Sequence, residues 1–134
     1  MTSHKETILE LWIAVNRDGP EAMRRYLSPD YLRHGSDRDY GADDWLEVLA
    51  DRQNAFSDNT TSVDDFVIEG DRVAYRWHAE GTHTGTYLRI PPTGKRVRAG
   101  GLTLLRFEQG LIREEWASWN KTTVLHVLGV MPII

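Results

Sequence analysis

Apolar residues at Ile8, Leu11, Trp12 and Val15 recur at spacings of three and four, which predicts an amphipathic helix over residues 5–16. The stretch "RDGPEAMRRYL" then breaks and restarts the chain. Gly19 ends the first element, Pro20 is preset for the first turn of the next, and Glu21 favours its dipole. Met23, Tyr26 and Leu27 give this short second helix one apolar face, and "SPDY" stops it. The polar segment "LRHGSDRDYGADD" reads as a loop that launches a third helix near Asp44, with Glu47 three residues on as in a capping box. Trp45, Val48, Leu49 and Phe56 supply the buried stripe of that helix.

From residue 62 the period changes to two. Val73, Tyr75, Trp77 and Ala79 alternate with Ala74, Arg76, His78 and Glu80, which is a strand pattern. "EGDR" before it and "EQG" at 108–110 are tight-turn chemistry between strands. Segments 94–107 and 111–120 are rich in Val, Leu, Ile, Phe and Trp, and Gly100-Gly101 predicts a bulge or sharp bend. Three helices followed by roughly four strands predict an α+β fold, with the helices packed on one face of a strongly bent, mostly antiparallel sheet. Such a sheet makes a cone-shaped barrel that encloses a pocket.

Composition narrows the function more than the fold. A chain of 134 residues reads as one domain over 1–134, with 40% hydrophobic and 27% charged residues, as in ordinary globular proteins. A net charge of −4 argues against nucleic acid or an anionic membrane surface as partner. Without cysteine there is no disulfide, thiolate nucleophile or Cys-based zinc site, and the five His residues show no ligand spacing, so no metal is expected. No signal peptide and no apolar run of about 20 residues is visible, which gives a cytoplasmic expectation. No phosphate-binding glycine loop or serine triad signature appears.

The segments "EGDRVAYRW", "GTHTG", "IPPTGKRV" and "RFEQGLIREEW", with "SPDYLRHG" and "NAFSD" upstream, resemble the SnoaL-like polyketide cyclase family of the nuclear transport factor two-like superfamily. The resemblance spans residues 5–129. It implies a cone-shaped α+β barrel with an apolar pocket, commonly as a homo-oligomer, for which a dimer is the expected form. It also implies ring closure by intramolecular aldol condensation without metal or cofactor, in a superfamily that includes isomerases and dehydratases. The cyclases' acid/base Asp, counted from Trp116, corresponds here to Asn120, which can hold an oxygen but cannot exchange a proton. Asn120 either positions ligand or caps the strand end.

The resemblance also places a pocket-facing His at His34, a side chain suited to proton transfer at neutral pH. Trp116 shares strand parity with Asn120 and would stack on a ring, while Trp119 would point the other way, into a core or subunit contact. Trp12 and Tyr26, on the buried stripes of their helices, complete the expected substrate wall. His83 and its threonine neighbours in "GTHTGTYLRIPPTGK" are read as bonding the turn that carries the chain around one end of the sheet. The expected activity is a cofactor-independent enzyme that cyclises, isomerises or dehydrates a hydrophobic, oxygenated, polyketide- or terpenoid-like molecule through an enol or enolate. The rival is a binding module of the same fold that makes no bonds.

Overall fold

Ser3 opens the first helix by accepting the Glu6 backbone N–H on its hydroxyl at 3.1 Å. In the computed structural model, which describes residues 2–130, α1 runs His4–Asp18 and buries Ile8, Leu11 and Ala14. Gly19 closes it at φ 97°, and Pro20–Tyr26 follows as a 3₁₀ helix rather than an α-helix. Leu27, "SPDY" and the segment read as a polar loop instead hold two strands, β1 (Leu27–His34) and β2 (Asp39–Tyr40). In β1 the buried positions are Leu27, Tyr31 and Arg33, so an inward arginine and Pro29 disguise the alternation. α2 spans Ala42–Ala55 and buries Trp45, Leu46 and Ala55.

Four long strands follow: β3 (Thr60–Glu69), β4 (Arg72–Thr82), β5 (Arg96–Glu108) and β6 (Leu111–Trp119). The β5–β6 turn places Gln109 and Gly110 at φ 52° and 79°, the conformation for which a glycine-containing hairpin turn is selected. The sheet order is β2-β1-β6-β5-β4-β3, antiparallel except for the parallel β1–β6 pair, and the sheet stays open between β2 and β3. Asn16 of α1 covers the β3 edge: its side chain donates to the Thr61 carbonyl at 2.8 Å and accepts the Thr61 N–H at 3.0 Å. A last helix, α3 (Lys121–Val127), follows β6.

Gly100-Gly101 does not form the predicted bulge. β5 pairs continuously with β4 through both glycines, and the register shift falls between Arg106 and Phe107. The reason for glycine lies in the packing. A Cβ at Gly101 would meet the Ser118 carbonyl oxygen at 2.5 Å and the Trp77 ring at 2.7 Å.

Two apolar clusters result. The larger joins α1, α2 and the sheet through Ile8, Leu11, Trp45, Val73, Leu105 and Phe107. The smaller gathers Ala55, Phe56, Tyr87, Val97, Val124 and Leu128 at the α3 end.

Candidate functional site

Between the helices and the inner face of the sheet lies a chamber of about 100 Å³, walled by Trp12, Trp45, Trp77, Tyr75, Tyr87 and Trp119 among others. Each ring arrives by the periodicity of its element. β4 alternation sends Tyr75 and Trp77 inward, and α1 and α2 each lay one tryptophan stripe over them. A second cavity of about 540 Å³ adjoins it as a vestibule, lined by Asp37, Asp51 and Lys121 and sharing Arg33, Trp45, Arg52, Tyr87 and Trp119 with the chamber.

Two hydroxyls face this space already oriented. The Trp12 indole N–H donates to Tyr75 Oη at 3.3 Å, and the Trp77 indole N–H donates to Thr103 Oγ1 at 3.0 Å. Each oxygen thus accepts from an indole, and Thr103 lies close enough to donate to Tyr75, which leaves the Tyr75 proton free to donate. Burial raises the Tyr75 pKa, so that hydroxyl stays a neutral donor.

Two guanidinium groups line the chamber. Arg33 donates to Glu115 Oε2 at 2.7 Å, with side chains 9% and 6% exposed, and lies 3.5 Å over the Trp45 ring. Burial pushes the Glu115 carboxyl up, and the Arg33 charge pulls it partly back. Tyr31 Oη is buried nearby without a hydrogen bond among the described residues. Arg52, half-buried, lies 5.4 Å over the Trp45 ring and 4.9 Å over the Trp119 ring. Its pKa is lowered, chiefly by burial.

The sequence-predicted residues do not all meet here. Trp12 lines the chamber. His34 and Trp116 do not: they stack on each other on the opposite face of the sheet, centroids 5.1 Å apart. His34 is held there by Glu114 at 2.6 Å and Asp39 at 3.1 Å. Asn120 is exposed and precedes α3, with no side-chain capping bond. Tyr26 packs against the larger core with Arg25 over its ring, outside the chamber.

The physical reason is that parity gives alternation but not which face is inward. Glu115 and Trp119 take the inner face of β6, so Trp116 shares the outer one with Glu114. Trp119, expected to point away, is a chamber wall. His83 does bond the turn, its Nδ1 accepting the Thr93 N–H at 3.1 Å.

Arg52 and Arg33 were not singled out from the sequence. Arg52 lies seven residues after Trp45 on the α2 stripe that includes Leu49 and Phe56, and a charge on an apolar stripe is the signal that finds it. Tyr87 arrives on a two-residue turn. Tyr87 and Ile90 exchange backbone hydrogen bonds at 3.0 and 2.8 Å, and between them Leu88 and Arg89 adopt φ 47° and 66°.

Residues 5–128 match the family model described as SnoaL-like polyketide cyclase. Among solved structures, the chain is similar to AclR of Streptomyces galilaeus, a candidate hydroxylase, at 31% identity and TM-score 0.90, covering 97% of this chain and 87% of that one. It is also similar to IdmH of Streptomyces antibioticus, a candidate polyketide cyclase, at 32% identity and TM-score 0.82, covering 94% and 98%. TsrD of Streptomyces laurentii shares the fold at 22% identity and TM-score 0.83, covering 98% and 100%. No curated protein matches the chain by sequence.

Proposed function

This chain belongs to the SnoaL-like polyketide cyclase family, and from that premise we propose that it is a cofactor-independent enzyme acting on a hydrophobic, oxygenated small molecule of polyketide or terpenoid type. The observation that carries the reading is the pair of indole-oriented hydroxyls, Tyr75 and Thr103, in an aromatic-walled chamber beside the Arg33 guanidinium. Donors already fixed in place stabilise a developing oxyanion without having to reorganise. A ligand carbonyl accepting from Tyr75 and Thr103 becomes polarised and its α-hydrogen acidic. The α-proton passes to water, and the enolate closes on a second carbonyl, reprotonates elsewhere or expels hydroxide. These are cyclisation, isomerisation and dehydration. In this reading the oxygen-holding role expected of Asn120 passes to the two hydroxyls, and Trp77 and Trp119 take the stacking role expected of Trp116.

Exchange of α-hydrogen for deuterium in a β-diketone probe tests the first step. The wild type should exceed the buffer rate, and Tyr75→Phe and Thr103→Val should each lower the excess about 10²-fold. A wild-type rate equal to buffer removes the enzymatic reading and leaves the binding module. One observation favours that second reading: among the described residues, no imidazole lines the chamber.

A homo-oligomer goes with either reading. Leu102, Leu104 and Val67 leave the outer sheet face apolar and exposed near Trp116, a surface suited to a second copy of the chain. Sedimentation at micromolar concentration distinguishes dimer from monomer.

A further inference from the structure

The charges around the chamber do not balance. Arg33 has its counter-ion in Glu115 at 2.7 Å. Glu80, also in the wall, is held by Arg96 and Arg98 at 3.2 Å each. Arg52 has neither ion pair nor hydrogen bond among the described residues, only the faces of Trp45 and Trp119. Indole faces attract a cation, but they leave the five N–H donors of a guanidinium without acceptors.

The helix does not account for this side chain. The C-terminal end of α2 favours a cation, yet two of its last carbonyls are already served: Ala55 accepts from Thr84 and Gly85 at 3.0 Å, and Arg52's own carbonyl accepts from Phe56 at 2.9 Å. Arg52 lines both the inner chamber and the vestibule, so it stands at the neck between them. Vestibule carboxylate Asp37 acts on Arg52 through space, but neither it nor Asp51 makes an ion pair or hydrogen bond with Arg52 among the described residues, and Asp37 accepts from the Tyr40 hydroxyl at 3.1 Å.

Volume makes the neck unavoidable. A cavity of about 150 Å³ holds one benzene ring, and the chamber has about 100 Å³. A single ring therefore already fills the chamber, and the rest of any larger ligand extends past Arg52 into the vestibule. We propose that Arg52 binds a carboxylate on the ligand, so that the molecule this site takes is an aromatic or polycyclic acid, its ring end among the tryptophans and its carboxylate at the neck. This rests on the chamber being the ligand site, as argued above. The planar fork of arginine matches a carboxylate with two parallel hydrogen bonds, which lysine cannot reproduce.

The probes are 2-naphthylacetic acid and its methyl ester, followed by NMR shifts of the tryptophan indole N–H signals. The wild type should bind the acid at least about tenfold more tightly than the ester, as expected for a charge-assisted pair. Arg52→Gln should weaken the acid about tenfold and leave the ester within about twofold; Arg52→Lys should fall between. Should Arg52→Gln prove unfolded by its NMR spectrum, Arg52→Lys and the salt dependence decide: acid affinity falls with added NaCl and ester affinity does not. Equal wild-type affinities for acid and ester, or an acid preference that survives in Arg52→Gln, overturn the assignment of Arg52 while leaving the chamber as the ligand site. Neither probe shifting any indole signal overturns both.

Discussion

Replacing Leu88-Arg89 with Asn-Gly should make the protein more stable, although both side chains are exposed and bury little. Both residues sit at positive φ in a two-residue hairpin turn, where L-residues other than Gly, Asn and Asp are disfavoured. The left-handed conformation costs about 1–2 kcal/mol per ordinary residue. Asn tolerates it, and Gly adopts it freely but returns about 0.5–1 kcal/mol through the entropy of the unfolded chain. Leu88 is 56% exposed, so its lost packing subtracts little. The net gain is about 1.5 kcal/mol. For a chain of 134 residues at roughly 4 °C per kcal/mol, that raises Tm by about 6 °C. Thermal unfolding by circular dichroism, with urea unfolding as a second measure, reads it directly. A double variant at or below the wild-type Tm would mean that the turn is not held in the left-handed region, and the argument from strain would fail.

Gly101→Ala should cost about 1–3 kcal/mol, because the Ser118 carbonyl that its Cβ would strike is backbone and cannot rotate away; a Tm within 2 °C of wild type would contradict this. Arg33→Met should cost about 3–5 kcal/mol at neutral pH by leaving the Glu115 carboxylate buried without its cation. Because burial already raises the folded pKa of Glu115, its ionisation works against the fold as pH rises through that value. The loss in Arg33→Met should therefore be smaller at pH 5 than at pH 8 in paired urea titrations, and the opposite trend would refute it. His34→Ala should leave probe binding in the chamber unchanged, since His34 lies on the other face of the sheet. The His34 pKa is raised, first by Glu114, so its electrostatic stabilisation is complete below its ordinary value near 6.5 and is lost as pH rises through the folded value; the stability gap between wild type and variant should narrow as pH rises.

The parts of this fold that could be read from sequence are those whose period is undisturbed. α1, α2 and β4 declare themselves because one face of each is apolar without exception at three or four successive positions. β1 is hidden because its inward residues include an arginine neutralised only by Glu115 on β6, 82 residues away in the chain. A buried ion pair looks like two surface charges until the strands meet. The same pair misdirects the reading of β6. With two glutamates and a tryptophan in a row, the tryptophan is the natural inward choice, yet Glu115 goes in and Trp116 goes out. Of the expected wall only Trp12 lies on the chamber, and the two hydroxyls that face it, Tyr75 and Thr103, carried the period of core strands. Nothing local distinguishes a core hydroxyl from one that faces a cavity.

The division of the apolar interior into two clusters has a consequence for access. The chamber lies where they meet, and Phe56, Tyr87, Val97 and Val124 of the smaller cluster supply part of its wall. Separate clusters need not open together: a local fluctuation has to break only the contacts it crosses, so its free energy can fall well below that of global unfolding. The seven-residue α3 and the turn at 87–90 can lift away while α1, α2 and the four long strands keep their ladder intact. Amide hydrogen exchange would then run in two tiers, fast over 121–128 and slow over β4 and β5, and a ligand held in the chamber would slow the fast tier alone. A partial melting of that corner would widen the way in that the vestibule already offers.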